Sequence, residues 1–372
     1  MGWHAVEAVD DAVDATRRFL FPFHLVRWAK LAFLVLLMGS GANAGVSVPA
    51  APDARLGGMS GFTSDLGTGT ETEAGAAELD AVVSDILAGM PSDWQIVAVA
   101  AVTVVAVIGL SVVSLSLRLV FYDALRTNEV RLWRPFFGRL RQAVGLFVAS
   151  VVLWSVAAGP IALAVIVAVA FETPTGWEPI DSLAATVGSL SIGPAIGVGL
   201  LVSVVILGAT LALRFTYEFV VPAMVITESG VIAGWRRSWR AVSGEWPELA
   251  VYIVVHFFVG LGTAFLEGVA LTIASVTIVA VAGSALLLAA VLFGGLSALV
   301  STTAGIVSVL IVVLLAIAAL VVLTLPVSVV TRSYMIAYEV ATLAAFDPEL
   351  RLLDPDIDPN SFDRGSASTD RD

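Results

Sequence analysis

Residues 305–333 read GIVSVLIVVLLAIAALVVLTLPVSVVTRS, a run whose only charged residue is Arg332. A helix needs about 20 apolar residues to cross the roughly 30 Å hydrocarbon core of a bilayer. This run is longer than that and has no polar face to turn toward water. It reads as a membrane span. Comparable runs lie at 25–45, 96–120, 144–171, 192–217 and 249–271. The expected fold is therefore all-α: a polytopic integral membrane helical bundle of about six transmembrane helices, with amphipathic helices on its cytoplasmic side.

The composition agrees. Of 372 residues, 58% are hydrophobic and 13% charged, with mean hydropathy +0.96. Soluble domains carry about a quarter charged residues. Cysteine is absent, which excludes disulfides, thiolate nucleophiles and cysteine-ligated metals. The net charge of -12 argues against nucleic acid, which needs a basic footprint. Lys30 is the only lysine, and an acidic, lysine-poor surface suggests a halophilic habit.

Outward from the spans, residues 1–24 form a cytoplasmic amphipathic segment. Its apolar positions Trp3, Val6, Val9, Val13 and Leu20 recur near helical spacing, and two placements fit. The helix lies on the membrane surface, or it packs on its own protein. The first span, 25–45, ends in Ala42-Asn43-Ala44, which resembles a signal-peptidase site, but the charged stretch before it favours a retained anchor. Residues 46–95 form an acidic outer loop in which Leu79, Val82, Val83, Ile86 and Leu87 share one helical face. The membrane domain is 96–333. Within it, 272–303 is apolar but interrupted by Gly283, Gly294 and Gly295. We expect a re-entrant hairpin there, with two further short crossings as the alternative. Residues 334–372 form an acidic cytoplasmic tail, with Asp-Pro steps at 347, 354 and 358 and a disordered end.

Arginine sets the expected orientation. Arg17, Arg18, Arg27 and Lys30 precede the first span, six arginines lie in 118–141, and Arg214, Arg236, Arg237, Arg240 and Arg332 follow. The loops at 46–95 and 172–191 hold one arginine between them. The positive-inside rule then puts both termini in the cytoplasm, in a cell membrane, and requires an even number of crossings between Arg240 and Arg332.

The stretch at 221–246, VPAMVITESGVIAGWRRSWRAVSGEW, concentrates charge between two apolar runs. Trp235, Trp239, Val242 and Trp246 are spaced by four, three and four, which makes an aromatic face suited to the headgroup layer. Arg236, Arg237 and Arg240 beside it can reach anionic lipid phosphates. We take Trp235, Arg236, Arg237, Trp239 and Arg240 as candidate lipid contacts. The plainer alternative is a mechanical anchor for the next span.

A similar unit occurs three times. Arg118 is followed by Tyr122-Asp123, Arg214 by Tyr217-Glu218, and Arg332 by Tyr338-Glu339. The first two continue into a tryptophan–arginine segment, so duplicated helix hairpins are expected. Arg214 and Glu218, four apart, should pair as a helix-end device.

No phosphate loop, HExxH, GxSxG or EF-hand spacing is present, and His4, His24 and His256 are scattered. No cofactor or metal is expected, nor an enzyme. One span carries an unusual polar stripe. At 100° per residue, Tyr252, His256, Thr263 and Glu267 fall within about 60° of one another. Ionisable groups inside a span are functional candidates by default. The alternatives are packing against other helices, or a Glu267 near the outer headgroups. Gly193 and Gly197 form a GxxxG step of the kind that lets helices pack closely.

The 221–246 stretch also resembles a hydrophobic-Pro, acidic-Gly, Arg-Ser-Trp signature found in a broad prokaryotic group of six-span proteins. That group includes the membrane domain attached to some glycerophosphoryl diester phosphodiesterases. The opening MGWHAVEAVDDAVDATRRFLFPF is similar to haloarchaeal membrane proteins classed as a domain of unknown function, and that likeness covers most of the chain. The resemblance implies an integral membrane fold. With no phosphodiesterase domain attached, it does not imply that activity. The expected role is a scaffold or accessory protein that organises lipids or partners in the bilayer, a membrane protein or a second copy among them. The alternative is a small-solute carrier or channel using the polar stripe.

Overall fold

A computed structural model of the chain describes residues 4–42, 93–173 and 175–361, which are helical with no strand among them. The elements are α1 (His4–Leu20), α2 (Leu25–Ala42), α3 (Asp93–Thr127), α4 (Trp133–Glu172) and α5 (Glu178–Gly188). There follow α6 (Ile192–Thr227), with a π-helical turn at Thr216–Val220, α7 (Val231–Val242) and α8 (Trp246–Phe293). The last are α9 (Leu296–Ser301) and α10 (Thr303–Phe346). The segment at 46–92 and the final residues 362–372 lie outside the described residues, as do the cleavage-like site at 43–44 and the expected helical face at 79–87.

Five helices, α3, α4, α6, α8 and α10, are long and apolar enough to cross a membrane. They match five of the six expected spans. The sixth, α2, is described over 18 residues, with Arg27 and Lys30 in its first turns. Those two side chains reach the α3–α4 loop: Arg27 donates to Asn128 Oδ1 at 2.7 Å and Lys30 to the Val130 carbonyl at 3.2 Å.

The helices pack in series: α8 on α10, α10 on α2, α2 on α3, α3 on α4 and α4 on α6. The buried core sits at the end where the arginines gather. It is built from α1, the last turns of α3, α6 and α10, the first turns of α4 and α8, and a strap at 347–361. Toward the other, acidic end the helices turn apolar side chains outward, as at Val97, Val102, Leu200, Val204, Leu287 and Leu314. Lipid hydrocarbon is the environment such surfaces suit.

One expectation about a helix end is corrected. The chain does not fold back at Gly283. Helix α8 runs unbroken through 48 residues to Phe293 and stops at Gly294 and Gly295, whose φ values of 89° and 133° suit glycine. A re-entrant hairpin at 272–303 is thus replaced by a plain turn, containing α9, between two long antiparallel helices. Gly283 has a helical backbone and open space around it, so it gives no reason to bend. The last span's helix runs on to Phe346 and ends at the first Asp-Pro step, and much of 334–346 is core. The strap then buries Leu350, Leu352 and Ile357, with the Asp354 amide donating to the Leu125 carbonyl at 3.2 Å.

Helix α1 buries mainly an alanine face. Ala5, Ala8, Ala12 and Ala15 are buried where α1 packs on α10, and Phe19 packs on Phe121 of α3 at 6.2 Å. Of the expected stripe, Leu20 is buried while Val6 and Val13 stay half exposed. Alanine lets two backbones approach closely, which valine would prevent. Gly193 and Gly197, by contrast, face open space, so the GxxxG step makes no close contact among the described residues.

The turn at the acidic end is tightly specified. Thr302 caps α10 by accepting from the Gly305 amide at 3.1 Å, and a Cβ at position 305 would lie 2.2 Å from the Leu299 carbonyl oxygen. Gly305→Ala should therefore destabilise the α8–α10 hairpin by about 1–3 kcal/mol. Thermal unfolding in detergent checks this, with the open-space substitution Gly283→Ala as the neutral control.

Candidate functional site

The three span endings with an arginine followed by Tyr-acid converge in one buried polar junction at the arginine end. Glu218 lies in the π-helical turn of α6 and is 7% exposed. Its Oε1 accepts from Arg214 Nε at 2.6 Å, one helical turn back on its own helix. Its Oε2 accepts from the Tyr252 hydroxyl of α8 at 2.8 Å, and His256 Nε2 lies 3.3 Å from Oε1. The Tyr252 oxygen is also 3.0 Å from His256 Nδ1. A phenol has one proton, which Tyr252 gives to Glu218, so toward His256 Nδ1 its oxygen can only accept.

The second ending contributes the Tyr122 hydroxyl of α3, which donates to Glu339 Oε2 of α10 at 3.0 Å with both side chains buried. Beside it Asp123 receives Arg139 of α4 in a two-pronged ion pair at 2.7 and 3.0 Å. The third ending adds Tyr338, stacked on Tyr252 at 5.7 Å between ring centres and donating to the Ala5 carbonyl of α1 at 3.3 Å. The Arg118 guanidinium sits over the Tyr217 ring at 4.9 Å, and the Tyr217 hydroxyl is 2.8 Å from Ser150 Oγ of α4. Each carboxylate thus ties its helix to a neighbour or holds a cation that does. The pattern suits charges withdrawn from water, which persist only when paired and hydrogen-bonded.

The junction includes half of the expected polar stripe. Tyr252 and His256 are central to it. Thr263 turns its hydroxyl to the Gly260 carbonyl of its own helix at 2.9 Å. Glu267 accepts from the Thr331 hydroxyl of α10, about 16 Å beyond His256 along α8. That puts Glu267 level with Arg332 on the facing helix. Tyr122, Arg139, Glu339 and Tyr338 were not singled out as site residues. The repeated Tyr-acid endings were the signal that pointed to three of them.

The tryptophan–arginine stretch forms α7, which folds back along the end of α6 through a left-handed turn at Glu228, φ 52°. Gly234 permits the close approach, since a Cβ there would meet Met224 and Val220. Ser238 donates to the Phe219 carbonyl at 3.0 Å, and Trp235 donates to Thr216 Oγ1 at 3.1 Å while packing on Phe215. Arg236, Trp239 and Arg240 remain on the outer face, with Trp239 against Trp246 at 5.7 Å. Arg237 is turned away from them. It pairs with Asp347 at 2.9 Å and with Glu349 of the strap, contacts that raise its pKa above the ordinary arginine value.

A cavity of about 350 Å³ lies apart from the junction, between α1, the end of α10 and the strap. Its polar lining is engaged internally: Arg351 pairs with Asp358 at 3.0 Å, and Asn360 donates to Asp11 at 2.7 Å. Burial raises the Asp11 carboxyl pKa, and the nearby Asp358, Glu7 and Asp14 charges add to this. No group of His, Asp and Glu among the described residues is arranged to hold a metal ion.

An all-helical bundle with five helices of membrane-crossing length and its polar groups gathered at one end fits a multi-pass membrane protein. The chain belongs to a family of unknown function (DUF7544), whose model matches residues 3–353. No curated protein and no solved structure matches it.

The junction predicts a hierarchy of stability losses. Glu218→Ala leaves Arg214 without its carboxylate and should cost about 3–5 kcal/mol. Tyr252→Phe removes one buried hydroxyl and should cost about 1–3 kcal/mol. Paired substitutions of Tyr122→Phe and Glu339→Gln should be non-additive by about 0.5–3 kcal/mol. Unfolding midpoints for the single and double variants in one detergent check all three.

Proposed function

We propose that this protein is a non-enzymatic scaffold of the cell membrane whose arginine end faces the cytoplasm and gathers anionic lipids around it. The observation that carries the reading is the outer face of α7. There Arg236 and Arg240 are exposed with no ion pair among the described residues, beside the exposed Trp239 and Trp246. Tryptophan settles at the headgroup layer, and arginine near an anionic leaflet contributes about 1 kcal/mol each. The lipid-facing spans then offer partners, a membrane protein or a second copy, a surface held at fixed depth. The solute-carrier alternative has less support, because Tyr252, His256 and Glu267 are engaged with other helices. The 221–246 segment, which resembles the membrane domain of some phosphodiesterases, lies in this anchor and suits a membrane-positioning role.

Lipids retained through purification test the reading. Arg236→Gln with Arg240→Gln should lower anionic-lipid retention by up to about 30-fold, as measured by mass spectrometry of the purified protein. Arg237→Gln should leave retention unchanged, since that side chain is already held by the strap. Equal retention in all three proteins would reduce α7 to a mechanical anchor.

The absence of cysteine makes orientation directly measurable. Ser182→Cys, in α5 at the acidic end, should react with an impermeant maleimide added to intact cells. Ser243→Cys, between α7 and α8, should react only after the cells are opened. The reverse pattern would invert the topology.

A further inference from the structure

We propose that the first residues of α4, centred on Trp133, Arg134, Phe137 and Arg141, form a second site for anionic lipid headgroups, at the same end of the bundle as the α7 site. This rests on the lipid reading of α7 and extends it to the first hairpin.

Helices α3 and α6 run in the same direction in a constant register. Arg118 lies over Tyr217, and Arg126 Nη1 donates to the Val225 carbonyl at 3.2 Å, so contacting residues are 99 apart at both places. Ser116 Oγ donates to the Phe136 carbonyl at 3.0 Å, which ties the start of α4 to α3. Phe215 packs on Trp235 at 4.9 Å and Trp239 at 6.0 Å, which ties α7 to the end of α6. The two tryptophan–arginine segments therefore dock at the same, arginine-bearing end of the bundle.

They also divide their side chains in the same way. In α7, Arg237 is drawn inward by carboxylates while Arg236 and Arg240 stay outside. In α4, Arg139 is drawn inward by Asp123, while Arg134 and Arg141 are exposed and make no ion pair among the described residues. Trp133 and Phe137 share that outer stripe at 76% and 66% exposure. Positions 133, 134, 137, 138 and 141 form one continuous helical face, and it bears no acidic residue. Large exposed aromatics interleaved with free arginines, at the start of an uncharged run from 143 to 171, match the headgroup layer of an anionic leaflet. A soluble protein partner would not require such a surface to adjoin an uncharged run of membrane-crossing length.

The test is photocrosslinking in liposomes of phosphatidylcholine with a diazirine-bearing phosphatidylglycerol, with crosslinked peptides mapped by mass spectrometry. Crosslinks are expected in both 133–141 and 232–246. Arg134→Gln with Arg141→Gln should lower the first yield by about fivefold for each charge removed and leave the second unchanged. The same variants give unaltered unfolding midpoints, since neither side chain is paired. Crosslinks confined to 232–246 would overturn this proposal and leave the α7 reading standing. Crosslinks at neither segment would overturn both. Equal labelling by a diazirine-bearing phosphatidylcholine would show a belt that takes lipid of any charge and would also overturn it.

Discussion

A carboxylate withdrawn from water must be met by cations and donors, and Glu218 is where this chain meets that constraint. Its two oxygens collect Arg214 from its own helix and Tyr252 and His256 from α8. Helices in lipid gain little from hiding apolar side chains, because acyl chains are as apolar as leucine. Polar links are then a principal means of fixing which helix end meets which. Glu218 joins α6 to α8, Glu339 joins α10 to α3 through Tyr122, and Asp123 joins α3 to α4 through Arg139. The three carboxylates occupy related positions in three related span endings, so one device closes the arginine end around its circumference.

The π-helical turn serves that closure. A wider turn at Thr216–Val220 lets adjacent residues address different neighbours: Tyr217 meets Arg118 and Ser150 on the α3–α4 side, while Glu218 meets α8. Such turns often mark functional positions. Here its role is structural and local. Immediately after it the chain reverses into α7, whose inner face packs on the segment just completed. Positioning of the tryptophans of α7 against α6 is thus inherited from the same few residues that hold Glu218.

Much of this was legible in the sequence, because apolar runs and arginine placement obey rules that act locally. Five spans and the Arg214–Glu218 pairing needed only helical periodicity. What periodicity could not supply was partner choice. Valine looked like the buried face of α1 because it is the more hydrophobic residue, yet the alanines are buried, since the distance between α1 and α10 decides the matter. The tail looked solvated because it is acidic, but Asp347 and Glu349 hold Arg237 and Asp358 holds Arg351. Glycine in 272–303 suggested a break without saying where, and only the two residues with positive φ provide one. Tyr122, Glu339 and Tyr338 were visible as a repeated pattern, but their convergence is a property of the bundle and not of any single helix.

Glu267 illustrates how packing reassigns an ionisable residue. Read alone along its span, it fell either mid-membrane or near the outer surface. Its contact with Thr331 puts it level with Arg332, on the adjacent helix of the hairpin. Trp246, which packs on Trp239 of α7, precedes Glu267 by 21 residues, about 31 Å of helix, so the two do not share one leaflet's headgroup layer. Glu267 lies far along the apolar hairpin, where an ionisable group is costly unless a neighbour satisfies it. The Thr331 hydroxyl of the facing helix does so, next in sequence to Arg332. That pairing across the hairpin is what lets an acidic side chain persist among Val, Leu, Ile and Ala.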